Sequence, residues 1–122
     1  MKFYQNLLII AFSAVFTSCF KEEPLNAECD ILEASVSVSK LEEMFYHSSD
    51  SKLQVPYTDS TIIFSVRRHT NLNAIAPLFT LTDGATIVPA NGSVQDFSKG
   101  PVIYTVTSED KQWNRRYAVS FL

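Results

Sequence analysis

An all-β fold, an immunoglobulin-like antiparallel β-sandwich behind a cleaved signal peptide, is the class that three features of this sequence predict. Beyond residue 27 the apolar residues alternate with polar ones, the repeat of strands with one buried face. Turn-forming residues recur at intervals of roughly 8–12 residues, the spacing of a sandwich of short strands. No stretch of the chain sustains the 3.6-residue period of a helix. The cysteine pair that staples antibody-type sandwiches is absent, so the pattern alone carries this prediction.

Residues 1–18 read as an export signal. Lys2 supplies a positive start, Leu7 to Phe16 is an apolar stretch interrupted only by Ser13, and Thr17-Ser18-Cys19 follows. A transmembrane span needs about 20 apolar residues, roughly twice this run. A buried amphipathic helix would need a polar face, and none exists between Leu7 and Val15. Phe16-Thr17-Ser18-Cys19 resembles the bacterial lipobox, with Phe16 where the common pattern prefers leucine. That resemblance implies cleavage before Cys19 and attachment of diacylglycerol and palmitate there. One acyl chain binds a bilayer only reversibly, at about 0.8 kcal/mol per buried methylene, so two or three chains make a durable anchor. Lys21, Glu22 and Glu23 follow directly and resemble the tag that sends Bacteroidetes lipoproteins to the outer cell surface. Residues 19–27 read as a tether, and residues 28–122 as the sandwich.

The strands follow in order. Leu32, Ala34, Val36 and Val38 alternate with Glu33, Ser35, Ser37 and Ser39, which predicts a strand with one wet face. Ser39-Lys40-Leu41-Glu42 matches a helix capping box, and Leu41, Met44 and Phe45 share one helical face, so a single helical turn or a short strand fits here. Leu53, Val55 and Tyr57 alternate next, with Pro56 placing them at a sheet edge. Thr61 to Arg67 is the strongest strand, with Ile62, Phe64 and Val66 on one face. Leu78 to Leu81 runs into Asp83-Gly84, a tight-turn dipeptide. Ala85 to Val88 is short and meets a second turn at Pro89-Ala90-Asn91-Gly92. Val102, Tyr104 and Val106 then form a hairpin with Trp113, Arg115, Tyr117, Val119 and Phe121, through a turn at Glu109-Asp110-Lys111-Gln112. Arg115, near that turn, is expected where the sheet opens to solvent, and Tyr104 and Tyr117 as core residues with wet hydroxyls.

Composition narrows the function. Loss of the first 18 of 122 residues leaves a single small domain, and loss of Lys2 takes the formal charge from −3 to −4. An acidic domain lacks the basic stripe that phosphates demand, which excludes nucleic acid as a partner. With Cys19 acylated, Cys29 has no partner for an internal disulfide and is expected to be a buried, inert thiol.

The run from Leu78 through Gly92, then Asp96-Phe97-Ser98, then Pro101 through Asp110, resembles the N-terminal immunoglobulin-like module of Bacteroidetes surface lipoproteins, of the kind that precedes a carbohydrate-metabolism domain. The likeness covers residues 28–122 and is strongest from Thr61 onward. It departs at Lys111-Gln112, where a glycine is common. It implies an outer-membrane, cell-surface lipoprotein module in a glycan-handling context. The partners it implies are the membrane, through the lipid, and a polysaccharide or a neighbouring outer-membrane protein. Full-length members continue into a larger glycan-associated domain.

Catalytic patterns are weak. His47 and His69 sit in no nucleophile-and-base motif. Two carboxylates facing across a cleft, about 5–9.5 Å apart, are unexpected in a small sandwich whose acids fall in turns. No Cys/His spacing fits zinc and no acidic loop fits an EF-hand, leaving a loop calcium through Asp83 or Asp110 as the remaining metal option. No cofactor is expected. Sugars stack on exposed aromatic faces, and among Tyr57, Tyr104, Trp113 and Tyr117 the turn residue Trp113 is the first candidate contact. The two functions to separate are a non-catalytic spacer or interaction module and a carbohydrate-binding module.

Overall fold

The computed structural model describes residues 24–122, so the signal segment, Cys19 and the Lys21-Glu22-Glu23 tag lie outside the described residues. Among the described residues seven strands form two sheets: β1 (Ile31–Ser35), β2 (Lys52–Gln54), β3 (Thr61–Phe64), β4 (Leu78–Leu81), β5 (Thr86–Val88), β6 (Val102–Thr107) and β7 (Asn114–Phe121). One sheet has the order β2-β1-β4 and the other β3-β7-β6-β5. The all-β sandwich read from the period-two pattern is the observed architecture. The ladders are antiparallel with one exception, β3, which runs parallel to β7 with Thr61 opposite Ala118 and Phe64 opposite Phe121. A parallel neighbour needs a crossover, and the chain between β3 and β7 supplies it by visiting the other sheet.

The core lies between the sheets. Ile62 and Phe64 from β3, Tyr104 and Val106 from β6, and Tyr117, Val119 and Phe121 from β7 all point inward, at the parity the sequence predicts. Phe121 is its aromatic centre, stacked on Phe64 at 4.8 Å and edge-on to Phe97 at 4.7 Å. Such offset and edge contacts add to the area these rings bury.

The first strand departs from its pattern. A register irregularity between Ile31 and Glu33 lets Ile31 and Ala34, three residues apart, both face the core. Leu32 is thereby turned outward and left 44% exposed. An extra residue in one strand shifts side-chain parity beyond it, which alternation alone does not reveal. β2 is an edge strand as Pro56 predicts. Between these strands the chain forms one helical turn, α1 (Leu41–Met44), but Lys40 caps it and no side chain closes a capping box. Met44 and Phe45 are buried and anchor that turn.

Asp83-Gly84 is a turn of another kind from the one expected. Ala85 N–H bonds Thr82 C=O at 3.1 Å, but β4 and β5 lie in different sheets, so this turn carries the chain across the sandwich. Gly84 has φ +78°, and a Cβ placed there would lie 2.5 Å from the Glu109 side chain. The β6–β7 connection is a hairpin as predicted, with Thr107 opposite Asn114. Lys111 adopts φ +62° in it, the conformation that the more usual glycine takes without strain.

Two tyrosines paired across that hairpin, Tyr104 and Tyr117, have opposite fates. Both are buried, and neither hydroxyl is wet, correcting the sequence expectation. The Tyr117 hydroxyl accepts the Ile31 N–H at 3.0 Å from the facing sheet. The Tyr104 hydroxyl is buried without a hydrogen-bond partner, and its ring meets Phe79 edge-on at 4.8 Å. Burial pushes its phenol up to about 12 and also raises that of Tyr117. Arg115 is likewise not open to solvent: its side chain is 20% exposed and bonds Asp30 at 2.7 Å.

Three substitutions test this account by chemical denaturation. Tyr117→Phe strands the Ile31 N–H and is expected to cost about 1–3 kcal/mol. Tyr104→Phe removes an unpaired hydroxyl and is expected to leave stability unchanged or raise it by about 1 kcal/mol; a loss as large as that of Tyr117→Phe contradicts the assignment. Lys111→Gly relieves a left-handed non-glycine residue and is expected to stabilise by up to about 1 kcal/mol.

Candidate functional site

Two of the exposed aromatics, Tyr57 and Trp113, lie at one end of the sandwich. Trp113, the contact residue picked from the sequence, is 61% exposed where the hairpin turn re-enters β7. Its main chain is clamped rather than free: Ser108 N–H bonds Trp113 C=O at 3.0 Å, and Trp113 N–H bonds the Ser108 hydroxyl at 3.2 Å. The same hydroxyl donates to the Asp110 carboxylate at 2.6 Å, which also accepts the Gln112 N–H at 2.9 Å. Those two bonds, the hydroxyl's first, hold the Asp110 carboxyl below its ordinary value. The indole is therefore displayed on a turn fixed from within.

Arg115 joins this turn to two other segments. One terminal nitrogen bonds the Asp30 carboxylate, and the other reaches the Asp59 carbonyl at 2.5 Å and the Ser60 hydroxyl at 3.3 Å. Its guanidinium lies 4.7 Å from the Tyr117 ring centre, which adds a cation–π contact. Asp59 and Ser60 belong to the loop that carries Tyr57, which is 78% exposed. Arg115 thus brings the loops of Tyr57 and Trp113 to the same end. Nothing in the sequence marks this role, because its partners lie 55–85 residues away.

The N-terminal segment docks on the same end. Asn26 N–H bonds the Glu109 carboxylate at 2.8 Å, the Asn26 amide donates to the Asp83 carbonyl at 3.0 Å, and Asp110 N–H bonds Asn26 C=O at 3.2 Å. Part of the expected 19–27 tether is therefore held against the sandwich. Cys29, just beyond it, is partly buried, and burial, then the Asp30 carboxylate, push its thiol up and keep it protonated.

Beside Tyr57 the surface is concave but shallow. A groove of about 110 Å³ runs between Leu53, Val55 and Pro56 on one side and Thr61 and Ile63 on the other. It opens onto a broader depression at Thr58, Asp59 and Ser60. Tyr104 and Tyr117 are core residues and present no face to a ligand. Tyr46, which the sequence reading passed over, is 53% exposed with the Arg67 guanidinium 4.7 Å over its ring.

Five carboxylates are committed to structural bonds: Asp30 to Arg115, Glu33 to Gln54 and Lys52, Glu109 to Asn26, Asp96 to Ser98 and Asp110 to Ser108. The Ser98 hydroxyl and N–H hold Asp96 low, the reverse of what a proton-donating acid requires. His47 and His69 are both exposed. Among the described residues no group of three or more His, Cys, Asp or Glu is placed to hold a metal ion, Asp83 and Asp110 included.

The family described as "SGBP, N-terminal" matches residues 43–120, which span α1 to β7 and include Tyr57 and Trp113. Among solved structures, a candidate glycoside hydrolase from Bacteroides thetaiotaomicron is 34% identical, with a TM-score of 0.61 over 84% of this chain. The chain spans only 27% of that protein's length. No curated protein matches it. The chain belongs to the SGBP N-terminal family, the N-terminal module of starch- and glycan-binding surface proteins of the Bacteroidetes.

Proposed function

We propose that this chain is a non-catalytic spacer or interaction module of an outer-membrane surface lipoprotein, anchored through Cys19 and holding a glycan-handling domain away from the bilayer. The observation that carries this reading is the path of the chain. Asn26 is bonded to the turn that precedes β7, whereas Leu122 lies at the far end of that strand. An eight-residue strand at about 3.3 Å per residue separates the two by roughly 25 Å.

Both ends are held. Beyond β7, Leu122 N–H bonds Phe64 C=O at 2.9 Å, and Val66 N–H bonds Leu122 C=O at 2.8 Å. A module pinned at Asn26 and at Leu122 transmits position between the two, as a spacer must. The carboxylates tied into turns, with Asp96 and Asp110 held low, favour a non-catalytic reading.

A second reading, carbohydrate binding, is favoured by Trp113 and Tyr57 on tied loops beside a shallow groove. Aromatic faces with neighbouring hydroxyls and amides are the materials of a sugar contact. Tyr57 and Trp113 project from the end where Asn26 docks, the membrane-facing end if Cys19 is the anchor, which disfavours it as the main role.

Three experiments test these readings. Palmitate is expected to label the wild-type chain in cells and not Cys19→Ala; label on the variant removes the anchor from the account. Replacing Lys21, Glu22 and Glu23 with alanine is expected to keep the label but protect the chain from protease added to whole cells. In gels containing starch or other neutral polysaccharides, wild type is expected to migrate unretarded. Retardation that Trp113→Ala abolishes establishes the binding module instead.

A further inference from the structure

Arg67 is held at every point except its two terminal nitrogens. Its main-chain N–H bonds Met44 C=O at 2.7 Å. Its C=O accepts the Thr70 N–H at 3.3 Å and the Thr70 hydroxyl at 2.6 Å. Its Nε donates to the Glu42 and Phe45 carbonyls at 2.8 and 3.2 Å, and its guanidinium lies 4.7 Å from the centre of the Tyr46 ring. The terminal nitrogens make no hydrogen bond or ion pair among the described residues. They are not buried either, because among the described residues the Tyr104 hydroxyl is the one buried side-chain polar atom without a partner.

Such an arginine is prepared for a ligand. Ordering a free arginine side chain costs about 2 kcal/mol of rotamer freedom. Here the fold has already fixed it, so that loss does not fall on binding. The two terminal nitrogens form a planar pair matched to the two oxygens of a carboxylate. Tyr46 lies beside them, 53% exposed, an apolar ring of the kind on which sugar rings pack. The charges nearby leave the guanidinium unneutralised. Arg68, next in sequence, is exposed, and Glu43 is paired with Lys40 at 3.7 Å. Glu42 gives Arg67 its main-chain carbonyl and no ion pair.

We propose that Tyr46 and Arg67 form a subsite for a uronic acid residue of an acidic polysaccharide, with the carboxylate on the terminal nitrogens of Arg67 and the sugar ring against Tyr46. The place of the pair in the fold favours this ligand. Val66, beside Arg67, donates to Leu122 C=O at 2.8 Å, so the subsite stands at the end of the sandwich opposite Asn26. On the spacer reading, on which this inference rests for its orientation, that end points away from the bilayer and toward a glycan-handling domain. A neutral glucan lacks the carboxylate, and a nucleic acid demands a row of cations rather than one fixed pair of donors. An acidic peptide supplies the carboxylate without a sugar ring for Tyr46. A contact of this kind, weak by itself, keeps a repeating polymer at high effective concentration beside the neighbouring domain.

The test is an NMR titration of the full chain in detergent, read at the backbone amides of residues 46 and 67. Tetragalacturonate is expected to shift both. Maltotetraose, a neutral sugar of the same length, is expected to bind at least about tenfold more weakly, because it leaves the charged donors unpaired. Arg67→Lys keeps the charge but loses the planar pair, and is expected to weaken tetragalacturonate binding about tenfold. Tyr46→Ala keeps the arginine and removes an exposed ring, and is expected to weaken it several-fold. Trp113→Ala and Cys19→Ala are expected to bind tetragalacturonate as wild type does, so failure of the anchor or of the Trp113 contact is read separately from failure here. No shift at residues 46 and 67, equal binding of maltotetraose, or full binding by Arg67→Lys or Tyr46→Ala overturns the proposal. Tetraglutamate bound as tightly as tetragalacturonate also overturns it, and makes the partner an acidic peptide.

Discussion

The hydrogen bond from Ile31 N–H to the Tyr117 hydroxyl spans the two sheets and fixes how they face each other. It exists because β1 is irregular between Ile31 and Glu33, which turns one backbone donor inward, into the space between the layers. A buried donor without a partner costs as much as several ordinary contacts gain, so this acceptor constrains the core around it. Tyr117 can reach because β7 is an interior strand, flanked by β3 and β6. Next to it, Arg115 repeats the connection at the surface, tying β7 to Asp30 at the start of β1 and to the loop before β3. One strand thereby holds the start of β1 and the loop before β3 at this end of the molecule.

This concentration of polar bonds at one end divides the molecule into two working halves. The turns at 82–85 and 108–113, the Asn26 segment and the 55–60 loop are interlocked by side-chain to backbone bonds, with Trp113 and Tyr57 displayed above them. At the far end the apolar contacts among Phe64, Phe97 and Phe121 take over, and Leu122 pairs its backbone with Phe64 and Val66.

Much of this was readable from residues alone. Period-two runs located β3, β6 and β7 and their inward faces, because side chains on one face of a strand must alternate whatever the strand pairs with. Asp83-Gly84 and Glu109 to Gln112 marked true turns, since local backbone preference decides where a chain reverses. Pro56 placed β2 at an edge, because proline cannot donate to a ladder. Trp113 stood out as exposed because it sits at the turn, at the end of its alternating run.

What the sequence could not supply has a common cause. Alternation states which side chains share a face, but not which strand lies alongside. The parallel partnership of β3 with β7, and the crossing of β4 to β5 between sheets, depend on the path of the whole chain. The irregularity that turns Leu32 outward leaves no mark in composition, because any residue can be the extra one. Whether a buried hydroxyl is satisfied depends on a donor 86 residues away for Tyr117 and on its absence for Tyr104. The sequence by itself determined that this would be a small two-faced sheet protein with Trp113 at its surface. Only the tertiary structure decided which polar groups meet across the layers and which strands lie side by side, because those are contacts between residues far apart in the chain.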